Sequence, residues 1–198
     1  HVAKPRSMLI NMSRFVKVQS VIKEYVDEIQ DNFIRTIKYN FDEDGSKNVH
    51  LSLFQELKQL WDKHFNNVTD INFADIVKKK NLLGAVYDIE RDIPKMNIIV
   101  VNGSSASKLD YKSNPSLRVI AIGGLALSRG LTLEGLLVSY FYRNTATFDV
   151  LMQMGRWFGY RPHYDDLFQI WTSQASVTWY REIATAAAEL KADIKKMF

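Results

Sequence analysis

The sequence contains no cysteine. A disulfide scaffold, a thiol nucleophile and a Cys-ligated zinc or iron–sulfur centre are therefore excluded. It also has no apolar run long enough to span a bilayer and no stretch laid out as a signal peptide. The expectation is a cytoplasmic chain with no membrane partner. None of its glycines is followed by lysine, so a phosphate-cradling P-loop is missing. Neither HExxH nor GxSxG occurs, and His1, His50, His64 and His163 stand without metal-ligand spacing. No metal site is expected on this chain. A nuclease needs clustered carboxylates around a divalent ion. Here Asp165 with Asp166 reads first as a turn or cap, and Asp42 to Asp44 as a solvated loop. Charge of one sign is lacking as well: 26 Lys+Arg oppose 22 Asp+Glu, a net +4. That is too mild to establish a nucleic-acid partner, although a local basic patch still attracts phosphate. From its residues alone, the chain is not a self-sufficient enzyme.

What is present suits one globular domain with a modest insertion: 198 residues, 46% hydrophobic and 24% charged. The opening residue is His1, not Met, which leads us to expect a piece of a longer protein. Residues 8–12 read as a buried strand that ends in Ser13 and Arg14. An amphipathic helix follows, with Val18, Ile22, Tyr25, Ile29, Phe33 and Ile37 along one face. Charge and a glycine break it at residues 41–46. A second helix carries Phe54, Leu57, Leu60, Trp61 and Phe65. A third, over about 73–80, carries Phe73, Ile76 and Val77 and ends in Lys78, Lys79 and Lys80. No strand is expected between Tyr39 and Asp92, so about 42–92 reads as a helical insertion closed by Pro94.

The texture then changes. Residues 97–101, 117–122, 136–141 and 167–171 are continuous apolar runs, the pattern of strands covered on both faces of a parallel sheet. Helical stretches are expected over about 147–158 and 177–198, the latter with Trp179, Ile183, Ala187, Leu190, Ile194 and Met197 on one stripe. Alternating strands and helices imply an α/β sandwich. Its ligands would lie beyond the carboxyl ends of the strands.

Two segments there can carry chemistry. Residues 123–135 leave a strand with four glycines and offer Ser128, Arg129, Thr132 and Glu134. Backbone N–H groups in such a turn can approach a phosphate closely. Read on spacing alone, an ordinary tight turn weighs slightly more. Residues 153–161 hold Arg156 and Arg161 among aromatics and glycines at a helix end. The guanidinium fork matches phosphate, but the same pattern serves a helix terminus with Trp157 and Phe158 in the core.

In order along the chain, these pieces resemble known motifs. Leu127 to Thr132 is similar to motif V of superfamily-2 helicases, and Gln153 to Arg161 to motif VI, with one apolar strand between them. The strings SMLIN, VNGSS, IAIGG, LSRGLTLEGL, SYFYR and QMGRWFGYR together resemble the Z-one domain across nearly the whole chain. That family is described as a candidate endonuclease domain joined to bacterial superfamily-2 helicase-like ATPases, including restriction-modification and defence systems. Thr132 replaces the common Asp of motif V, Arg161 falls two places late, and Gln153 one place close to Arg156.

The resemblance implies a RecA-like three-layer sandwich spanning residues 1–198, the second lobe of a DNA-dependent ATPase. It implies that ATP and magnesium are bound mainly by a P-loop lobe preceding this chain. Arg156 would be the arginine finger, Arg161 a second phosphate or coupling contact, and Gln153 and Gly155 would shape the turn. Gly130, Thr132 and Glu134 would couple to the nucleotide. Ser13, Arg14, Asn102, Ser104, Ser128 and Arg129 would meet DNA backbone, with Ser13 and Asn102 on neighbouring strand ends. Such contacts carry no sequence information. Two other readings stay open: a non-catalytic RecA-like interaction module, and a metal-dependent endonuclease domain.

Overall fold

The structure, a computed structural model, describes residues 4–43, 48–66, 70–101, 109–124, 133–142 and 167–197. In chain order its elements are β1 (Arg6–Asn11), α1 (Val16–Asn40), α2 (Ser52–His64), α3 (Phe73–Ile76), α4 (Lys79–Val86), β2 (Tyr87–Asp88) and β3 (Ile93–Pro94). Then come β4 (Met96–Val101), β5 (Arg118–Gly123), β6 (Leu136–Phe141), β7 (Gln169–Thr172) and α5 (Gln174–Met197). The continuous apolar runs became a five-stranded sheet in the order β4-β5-β1-β6-β7. Every neighbouring pair in it is parallel.

Both sheet faces are covered, as unbroken apolar strands require. On one face Ile10, Ile98 and Ile122 pack with Ile22 and Val26 of α1. On the other Leu9, Val101, Ala121, Leu133, Leu136 and Phe141 form the core, with Leu109 and Tyr180 of α5 against them. These layers make an α/β sandwich of the RecA-like type.

The N-terminal half of α1 turns a different face inward from the one its apolar stripe suggested. Gln19, Ile34 and Ile37 are the buried positions, while Val18, Tyr25 and Ile29 are exposed. Successive steps of four residues advance about 40° around a helix. A stripe traced mostly in fours therefore drifts: Val18, Tyr25 and Ile29 face outward, while Ile22, Phe33 and Ile37 reach the packed side. Tyr25 is 67% exposed, whereas Ile37 is fully buried.

The C-terminal end of α1 carries the helical segment. Ile34, Ile37 and Phe41 join Val77, Leu82, Leu83 and Tyr87 in a separate apolar cluster, with Phe54, Leu57 and Phe73 packed on it. The lysine run does not end a helix. Lys78 is the cap residue and Lys79 opens α4, while α3 is a single turn capped by the Asn72 side chain, which accepts from the Ala74 N–H at 3.0 Å. A second correction concerns β2, which lies inside the stretch expected to hold no strand. Its two residues pair antiparallel with β3, and Pro94 sits in that ladder instead of simply closing the segment. Along α5 the residues from Ala184 to Lys196 are all exposed. The helix expected over about 147–158 lies outside the described residues.

Candidate functional site

From β1 the chain crosses β5 to reach β4, and from β5 it crosses β1 to reach β6. The connections of these adjacent strands thus leave in opposite directions, which opens a crevice at their carboxyl ends. The β1 end is drawn tightly into that crevice. Gln19 Nε2 donates to the Ser13 carbonyl at 2.8 Å, and Ser13 Oγ accepts from the Phe15 N–H at 3.1 Å. A Cβ placed on Gly124 would lie 2.7 Å from the Ser13 carbonyl oxygen and 3.0 Å from Arg14 Cα. Only glycine lets the β5 end approach this turn so closely. On the far side of β1, the Tyr142 N–H donates to the Asn11 carbonyl at 3.1 Å, so the end of β6 joins the same rim.

The rim is electropositive for a reason built into the backbone. Helix α1 starts here after Phe15, without a side-chain cap bond and without an acidic residue in its first turn. The first N–H groups of a helix lack intrahelical acceptors and carry the positive end of its dipole. Arg14 and Lys17 flank that end, both exposed. The Arg14 guanidinium rests over the Phe15 ring, 5.0 Å from its centroid, which restricts the side chain without neutralising it. Phosphate oxygens are the matching acceptors.

Of the residues expected to form the site, Ser13 and Arg14 stand together on this rim. Glu134 does not. It precedes β6, at the opposite edge of the sheet, where its carbonyl accepts from Ser7 Oγ at 2.7 Å. Beside it Gly135 has φ +62, and a Cβ there would stand 1.9 Å from the Pro5 carbonyl oxygen. This turn clamps the amino ends of β1 and β6, so a part for Glu134 in nucleotide coupling is withdrawn. Asn102, Ser104, Ser128, Arg129, Gly130, Thr132, Gln153, Gly155, Arg156 and Arg161 lie outside the described residues. The strands flanking them correct one detail: β4, which leads to Asn102, is separated from β1 by β5. Their ends are not neighbours.

Sequence reasoning missed Gln19. It is 4% exposed and ties the Ser13 turn, yet the reading of the sequence assigned it no part. The available signal was its place three and seven residues before the apolar Ile22 and Val26, on the face that meets the sheet. Near the same edge the Ser139 and Thr172 hydroxyls are buried and have no hydrogen-bond partner among the described residues. Burial of such groups is costly when nothing pairs with them. Among the described residues, no group of three or more His, Asp or Glu is arranged to hold a metal ion, and no helix is long and apolar enough to cross a membrane.

The all-parallel five-stranded sheet, covered by helices, defines an α/β sandwich of the RecA-like type. A family model for the Z1 domain matches residues 1–198, and the chain belongs to that family. No curated protein and no solved structure matches it significantly.

Proposed function

We propose that this chain is the second RecA-like lobe of a bacterial superfamily-2 helicase-like, DNA-dependent ATPase, serving DNA restriction, defence or repair. The carrying observation is that β1, β5 and β6 all end on one cationic rim. The segments with Ser128, Arg129, Gly130 and Thr132, and with Gln153, Gly155, Arg156 and Arg161, follow β5 and β6 in the sequence. Both therefore depart from the edge where Ser13, Arg14 and the start of α1 already present donors.

In this reading a P-loop lobe holds ATP and its magnesium ion, and this chain supplies cations across the cleft. What supports that division is the rim itself, whose N–H groups and Arg14 guanidinium are donors suited to phosphate oxygens. Arg156 stabilises the charge that spreads over the transferred phosphoryl group, a contribution worth roughly 10³–10⁵ in rate in related systems. Arg161 is a second phosphate or coupling contact. Gln153 and Gly155 shape the turn, and Gly130 and Thr132 link the nucleotide to nucleic acid. Ser13, Arg14, Ser128 and Arg129 meet DNA backbone, and Asn102 and Ser104 extend that surface from the β4 end.

The test is Arg156→Ala in the protein that joins this chain to its P-loop lobe. ATP hydrolysis should fall by at least about 10³ while nucleotide binding persists. Unchanged hydrolysis would refute the assignment.

A further inference from the structure

At the amino edge of the sheet, opposite the rim, a polar cavity of about 360 Å³ lies between the β2–β3 hairpin, the start of β4 and the turn before β5. Arg91, Lys95 and Arg118 line it against one carboxylate, Asp88. That carboxylate is engaged already. Its Oδ1 accepts from the Arg91 backbone N–H at 3.2 Å, and its Oδ2 stands 3.8 Å from Arg91 Nε.

Lys95 and Arg118 have no acidic partner among the described residues. Lys95 Nζ donates to the Gly84 carbonyl at 2.7 Å and Arg118 Nη1 to the Ala85 carbonyl. These carbonyls end α4, so they position the two heads and soften their charge without cancelling it. Arg6 is the register partner of Arg118 across β1 and β5, and like charges in that position repel. Burial, and then Arg6, hold the Arg118 guanidinium below its ordinary pKa. A bound anion would relieve both.

We propose that this cavity binds one phosphate group, with Arg91, Lys95 and Arg118 as its cationic contacts. Asn97 and Ser116 add neutral polar groups to the wall. Among the described residues no aromatic ring lines the cavity to stack a base, and the recognition we propose is of the phosphate itself. A free phosphorylated small molecule and a nucleic-acid backbone present the same oxygens. The site stands apart from the rim and does not depend on the ATPase reading.

The experiment titrates the whole chain with inorganic phosphate and, separately, with an oligonucleotide lacking terminal phosphates. The wild type is compared with Arg91→Gln and Lys95→Gln. Lys191→Gln, an equal charge change on α5, is the control. Arg91 is exposed, so its variant should fold even if Lys95→Gln loosens the end of α4. Loss of one charge-assisted bond weakens binding about tenfold. A tenfold loss of phosphate binding in Arg91→Gln, with Lys191→Gln unchanged, supports the site and a small-molecule source. The same loss seen only with the oligonucleotide supports the site with a backbone source. Equal affinities in wild type and Arg91→Gln for both probes, or an equal loss in Lys191→Gln, overturn it.

Discussion

The Ser13 carbonyl oxygen lies 2.7 Å from the point where a Cβ on Gly124 would stand. One glycine thus fixes how near the β5 end comes to the turn that starts α1. Gly124→Ala should destabilise the chain by about 1–3 kcal/mol through forced displacement of that turn. Urea unfolding checks this, and a variant as stable as wild type would show that the turn yields freely. Gly135→Ala should cost more, since its φ of +62 adds backbone strain to a contact of 1.9 Å.

The two sides of α1 should respond very differently to truncation. Ile37→Ala empties a fully buried position shared by α1 and the helical segment, and should cost about 2–5 kcal/mol. Tyr25→Ala removes a larger ring from an exposed position and should stay within about 0.5 kcal/mol. Equal losses in the two variants would return Tyr25 to the core.

That contrast marks where the sequence was legible. Strands β4, β5 and β6 announce themselves because burial on both faces demands unbroken apolar residues, and that pattern also fixes their parallel pairing. Helix α1 is less readable, since apolar residues cover more of its circumference than the sheet uses. The β2–β3 ladder is too short for any periodicity. Ser13 and Arg14 were readable as a strand-end turn. Gln19 was not, because its importance depends on a carbonyl that only the folded turn brings near. Glu134 misled for the converse reason: closeness in sequence to a glycine-rich turn says nothing about which end of the next strand it occupies.

Burial pushes the Tyr180 hydroxyl up to about 12, where it packs on Phe141 with ring centroids 6.5 Å apart. Among nine tyrosines, this one should ionise late in an alkaline titration followed by phenolate absorbance. The unfolded chain ionises it near pH 10. The burial contribution is therefore complete below about pH 10 and is lost as pH rises towards about 12. In Tyr180→Phe that late phase should vanish, and its persistence would assign it to another ring.

The rim is claimed to face phosphate, and the salt dependence of single-stranded DNA binding tests that claim most directly. The logarithm of affinity should fall linearly with the logarithm of salt concentration, and Arg14→Gln should make the slope shallower by about 0.7, the share of one lost phosphate contact. Binding that ignores salt, or an Arg14→Gln slope equal to that of the wild type, would contradict the account.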